Sequence, residues 1–208
     1  MRKMKDLFNA AKGGFGGLAP VPDLAELVLL AAELAGPRQV KKLLRGQSLA
    51  GFDAALPLFL MQNAKGALEP VRAEAAARRA DIRRRENLGE KVRLGEAMSL
   101  GMLDGEAGDI ARNYTKALGY VLAAGGDTNA AGGGDTNAAG GGGGETALML
   151  ASAAGLERAV DMLLEKGADR AARDAAGKTA YDYACAGGFE KIAQKLRPRG
   201  RPSSSPQL

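Results

Sequence analysis

The sequence predicts an all-α chain, a solenoid of stacked helix-turn-helix pairs joined by short hairpin-like finger loops, and three observations carry that expectation. A motif recurs at a fixed offset of 33 residues: Gly144-Glu-Thr-Ala147 returns as Gly177-Lys-Thr-Ala180, and Ala151, Gly155, Leu163 and Gly167 return as Ala184, Gly188, Leu196 and Gly200. Such self-similarity is the signature of a repeat architecture. The apolar residues between these anchors fall at helical spacing, and glycines stand where helices must stop.

Within one unit, Thr146 and Thr179 stand where an N-cap hydroxyl can accept from the free amides of a first helical turn. Leu148, Leu150 and Ala151 then form an inward face, and Gly155 ends that helix. A second helix is expected from about Leu156 to Lys166, with Ala159, Val160, Leu163 and Leu164 as its buried stripe. Gly167-Ala-Asp169 closes it. Arg170 to Ala176 is left as an extended, hairpin-like connection.

These residues resemble the ankyrin repeat: the opening Gly144-Glu-Thr-Ala-Leu-Met-Leu-Ala151, the pair Leu163-Leu164 and the ending Gly167-Ala-Asp169 match its 33-residue pattern. Gly177-Lys-Thr-Ala-Tyr-Asp-Tyr-Ala184, with Ile192 and Leu196, is similar to a terminal capping repeat. Two departures stand out. The family's proline is Ala147 and Ala180, and its histidine is Met149 and Asp182, so an inter-repeat hydrogen bond is expected to be lost. The resemblance implies a non-catalytic, protein-binding adaptor or scaffold. Placed by position in the repeat, its partner contacts would be Glu145, Asp174, Lys178, Tyr181 and Asp182.

Upstream the pattern fades. Asn113 to Asn129 looks like the back half of another unit, with Ala117, Leu118, Val121 and Leu122 in its stripe, and Leu30 to Gly46 looks like a further degenerate unit. Between them, Asp53 to Ala64, Ala67 to Arg85 and Glu90 to Leu103 are helical by composition without a repeat match, and five helix pairs fit the length. The expected organisation is a basic amphipathic segment and linker over 1–22, a helical region with degenerate repeats over 23–112, ankyrin repeats over 113–200 with a Gly-rich insert at 125–144, and a disordered tail over 201–208. That insert holds an eight-residue tandem copy, Gly125 to Gly132 and Gly133 to Gly140. It reads as a slippage duplication tolerated at a loop tip, where added length costs little, with a lengthened binding loop as the alternative.

Composition narrows the chemistry. The 208 residues contain no histidine and one cysteine, Cys185. No Ser-His-Asp or Cys-His nucleophile pair, His-rich zinc site or internal disulfide can be built. No metal, cofactor or small-molecule substrate is expected. Glycine is 30 of 208, about twice its usual ~7%. Ala172 to Thr179 mimics a phosphate loop but lacks its first glycine and its preceding strand, so nucleotide binding is rejected. Gly14-Phe-Gly16 is an equally weak dinucleotide hint.

Charge points to partners rather than to catalysis. The net charge is +5 from 29 basic and 24 acidic residues, a mild bias. Arg78, Arg79, Arg83, Arg84 and Arg85 lie among Glu74, Asp81 and Glu86 and read as a solvated helix face, with nuclear import or an acidic partner as alternatives. The tail Arg197-Pro-Arg-Gly-Arg-Pro202 resembles an AT-hook, which implies weak contact of Arg199, Gly200, Arg201 and Pro202 with the minor groove of A·T-rich DNA. A chromatin-associated adaptor is therefore the second reading. No stretch reaches the length of a membrane span and no secretory start is visible. An intracellular protein, cytoplasmic or nuclear, is expected. The segment Met1 to Lys12, read as a packed or frayed first helix, has a targeting or membrane-surface helix as its alternative.

Overall fold

The computed structural model describes residues 27, 28, 30–46, 55–131 and 143–198. Seven α-helices follow a π-helical turn at Ala31–Ala35: α1 Pro37–Leu43, α2 Leu56–Asn87, α3 Leu94–Ala123, α4 Ala147–Ala153, α5 Glu157–Glu165, α6 Ala180–Ala186 and α7 Glu190–Leu196. The described residues form no strand, only an isolated antiparallel bridge between Ala131 and Thr146. Both helices of the last pair start 33 residues after those of the preceding one, so the sequence period is reproduced in space.

The helices stack in two rows. α2, α4 and α6 pack side by side as an inner row, and α3, α5 and α7 form the outer row, with α1 and the π-helical turn against α3. Each pair buries an apolar face against its neighbour, which is how a solenoid builds one continuous core from units that have none alone. Leu56, Leu60, Met61 and Leu68 of α2 meet Leu118 and Val121 of α3, Leu148 and Met149 of α4 and Leu163 of α5 in a single buried cluster. The expected stripes hold: Ala117, Leu118, Val121 and Leu122 are buried, as are Ala159, Val160 and Leu163. Leu164 is only partly buried at the edge.

The middle of the chain departs from the expectation of separate short pairs. The expected gap at 65–66 is absent, since α2 runs unbroken through Gly66 and Pro70; the expected gap at 86–89 becomes a turn at 88–93, after which the chain returns as the 30-residue α3. Pro70 has no N–H to offer the Gly66 carbonyl one turn back. The helix survives because Leu56, Leu60, Ala64, Leu68 and Ala75 keep one face buried on both sides of that gap; tertiary packing outweighs propensity. The described residues thus contain four stacked layers, one of them overlong, rather than five equal pairs.

The long layer extends beyond the stack. Arg72 lies level with the end of α4, where its guanidinium donates to the Ala154 carbonyl and rests 5.5 Å from the Phe189 ring centroid. The rest of α2 projects past this point for roughly 22 Å, at about 1.5 Å per residue. Arginines of the basic run bind this projection together. Arg79 pairs with Asp104, Arg78 with Glu74 and Ser99, and Arg85 reaches Glu96 at 2.7 Å and Glu90 at 3.1 Å. Glu96 also accepts the Arg93 N–H at 3.0 Å, closing the first turn of α3, and its carboxyl is held below the usual range, mainly by Arg85. The expected solvated face is therefore a cross-helix clamp in part; only Arg83 and Arg84 remain exposed without an ion-pair partner among the described residues.

Candidate finger-edge interface

The finger between α5 and α6 is a tight turn shaped by one aspartate. The Asp174 N–H donates to the Lys178 carbonyl at 3.0 Å, and the Lys178 N–H returns to Asp174 Oδ1 at 2.8 Å. The Gly177 N–H donates to the Asp174 carbonyl at 2.9 Å, and Arg173 donates across the turn to the Gly177 carbonyl at 2.6 Å. This closes a hairpin tip of alanines and glycine whose side chains demand nothing from a core. The loop that mimics a phosphate cradle has its Lys178 amide already occupied by a carboxylate.

Successive fingers are tied to one another. The Ala175 N–H donates to the Gly143 carbonyl at 2.8 Å, and the Asp169 N–H donates to Asn129 Oδ1 at 2.8 Å. Asp127 and Asp169 each accept, at 2.8 Å, the backbone N–H two residues on. The degenerate Gly125-Gly-Asp127 thus folds as Gly167-Ala-Asp169 does.

Tyr183 completes the brace. Its hydroxyl lies 2.7 Å from Glu145 Oε1 of the preceding repeat and 2.7 Å from Asp174 Oδ2 of the finger. One hydroxyl has one proton, so it can serve only one of these carboxylates at a time. Both carboxylates belong to nearly buried residues. The Asp174 carboxyl is held below its ordinary value, first by the Tyr183 hydroxyl and then by the amides of Lys178 and Ala176 and the Lys178 charge, against the opposing effect of burial. The Tyr183 phenol is raised, by burial first and then by the two carboxylates. A folded value below the unfolded 3.8 means that Asp174 stabilises the fold above about pH 4 and loses that contribution as pH falls through the lower folded value.

The five expected contact residues thus separate. Glu145 and Asp174 are buried and face Tyr183. Lys178 is exposed, its ammonium 6.0 Å from the Tyr183 ring centroid. Asp182 is exposed and accepts both the Thr179 N–H and the Thr179 hydroxyl at 2.8 Å. Tyr181 is half-buried, its phenol raised chiefly by the Cys185 thiol. The two caps also differ from each other. Thr146 Oγ1 accepts the Met149 N–H at 3.4 Å as expected, whereas the Thr179 hydroxyl donates to Asp182, because a carboxylate three residues on is the stronger acceptor.

Tyr183, which is not among the expected site residues, supplies an inter-repeat bond of its own where the repeat's histidine is missing. The signal lies in the register. Tyr183 sits 33 residues after the buried Leu150, so a phenol stands where the repeat wants an apolar side chain, and a phenol placed there must find a partner. Replacing Tyr183 with Phe is expected to cost about 1–2 kcal/mol, because the one proton shared between two nearly buried carboxylates is lost. Urea unfolding at neutral pH measures this; an unchanged midpoint would contradict the brace.

The AT-hook-like residues Arg199, Gly200, Arg201 and Pro202, residues 132–142 of the Gly-rich insert at 125–144, and the amino-terminal segment lie outside the described residues. Elsewhere, an open groove of about 540 Å³ between α2 and α3 is lined by Glu74, Arg78, Asp81, Ile82, Gly95 and Ser99, among others. Its charged groups pair with each other or with neighbouring arginines. Among the described residues, no helix is long and apolar enough to cross a membrane.

Compared with known families, residues 110–203 match the ankyrin repeats, in three copies. No curated protein matches the chain.

Proposed function

Residues 110–203 are ankyrin repeats, a module of protein–protein interaction, and from that premise we propose that the chain is a non-catalytic adaptor that holds a partner protein on its finger edge. The observation that carries the reading is the bracing of the last finger by Tyr183, whose hydroxyl lies 2.7 Å from Glu145 Oε1 and from Asp174 Oδ2 and donates to one of them at a time. A rigid tip loses little freedom on binding, and such preorganisation is what lets a small surface bind tightly. Lys178, Asp182 and Tyr181 are the contacts in this reading, with the exposed Arg173 beside them; Glu145 and Asp174 position the finger and do not touch the partner.

A photo-cross-linking residue placed at Lys178 tests the assignment against one placed at Lys191 on the outer row. Cross-links to a cellular protein from position 178 alone are expected, and Arg173→Glu/Lys178→Glu should abolish them while far-ultraviolet circular dichroism shows the repeats still folded. Cross-links from 191 alone, or capture indifferent to the charge reversal, would reject the finger edge.

A further inference from the structure

The projecting part of α3 carries a face with no partner among the described residues. Leu94, Met98 and Met102 are 77, 62 and 75% exposed, and their spacing of four residues places them on one stripe. Gly101 and Gly105 fall on the same side, and a Cβ built on either would meet nothing within 4 Å. The opposite side is the one that faces α2, through Glu96 and Ser99. Glycine is the poorest helix former after proline, and large exposed apolar side chains are unfavourable in water. A helix backbone approaching closely would account for both.

We propose that this face pairs α3 with α3 of a second copy, antiparallel, about a two-fold axis between residues 101 and 102. In that register Met98 lies opposite Gly105 of the second copy, Gly101 opposite Met102, and Gly95 opposite Gly108, so every methionine enters a gap left by a missing side chain. A two-fold contact must be self-complementary in this sense. Charge selects the same orientation. The tip, residues 83–93, holds Arg83, Arg84, Arg85, Lys91 and Arg93 against Glu86 and Glu90, whereas 104–109 holds Asp104, Glu106 and Asp109. Antiparallel pairing lays the basic tip of each copy along the acidic stretch of the other; parallel pairing sets like against like.

Sedimentation equilibrium of the full chain is expected to show a dimer that weakens as salt is raised. Gly101→Leu/Gly105→Leu fills the gaps and should weaken the association by at least about tenfold, while helix content rises or stays level, since leucine is the better helix former. A short thiol cross-linker should join copies carrying Cys185→Ser/Met102→Cys, which meet at the axis. It should not join Cys185→Ser/Leu94→Cys copies, whose residues lie about 22 Å apart. A monomeric wild type, a dimer unaffected by the leucines, or cross-linking at 94 but not 102 would overturn the pairing. So would a monomer whose methionines resist oxidation until residues 1–22 are removed, because the chain's own amino-terminal segment would then cover the face.

Discussion

Gly155→Val is expected to destabilise the protein by roughly 2–5 kcal/mol, combining a left-handed backbone with an overfilled joint. Gly155 has φ of 63°, and a Cβ added there would overlap the Phe189 ring. Phe189 itself is wedged between Gly155 and Gly187 and under Arg72, at the point where α2 meets the last two helix pairs. Moving the ring aside would cost its packing against Gly187 and under Arg72. Gly167→Ala separates the two causes. Gly167 has φ of 86° but open space around it, so only the backbone cost of about 1–2 kcal/mol should appear there. Urea midpoints followed by far-ultraviolet circular dichroism give both values, and equal losses for the two variants would refute the wedge. Since native domains are stable by only about 5–15 kcal/mol, the valine alone approaches loss of the repeat fold.

Leu118→Ala carries the second large effect, about 2–5 kcal/mol by loss of buried apolar surface and creation of a cavity. Leu118 is fully buried on the stretch of α3 that serves as the outer helix of its layer. Next to it Gly119 lets α3 approach α5 so closely that a Cβ there would lie 2.8 Å from Met162 Cε. Met98→Ala on the same helix removes a side chain of similar size from an exposed site and should leave the unfolding of the monomer nearly unchanged. If both substitutions cost the same, the division of α3 into a buried and a projecting half is wrong.

The acidic range offers a gentler check on the finger. Wild type and Asp174→Asn should differ at neutral pH and converge as pH falls below the ordinary carboxylate range, where the wild-type carboxyl becomes protonated and its stabilisation disappears. A difference that persists unchanged into acid would mean that the Asp174 charge is not what shapes the turn.

Much of the repeat region is legible from local chemistry. Thr146, Gly155, Leu163 and Gly167 each act within a few residues of themselves, as cap, turn, stripe and stop, so their spacing carries the information. Position in the repeat did bring Glu145, Asp174 and Lys178 to one edge. It did not reveal that Glu145 and Asp174 are nearly buried, because burial of a carboxylate depends on a phenol 9 residues away in one case and 38 in the other. Tyr183 escaped notice for the same reason: its partners lie in other elements.

The middle region shows the opposite balance. Gly66 and Pro70 argue locally for a break, and the break is absent because the buried face of α2 continues past both. No short window reports that a neighbouring helix will be there to hold it. Nor does composition distinguish arginines that face water from arginines that clamp α2 to α3.

By itself, then, the sequence determined that the chain carries α-helical repeats and that nucleophile pairs requiring histidine are closed to it. Only the tertiary structure decided that residues 56–123 form one overlong layer projecting from the stack, and that the last finger is braced through Tyr183. The reason is physical. Caps, turns and amphipathic stripes are interactions over a few residues, whereas the persistence of a helix through a proline and the pairing of a phenol with two distant carboxylates depend on which surfaces meet after folding.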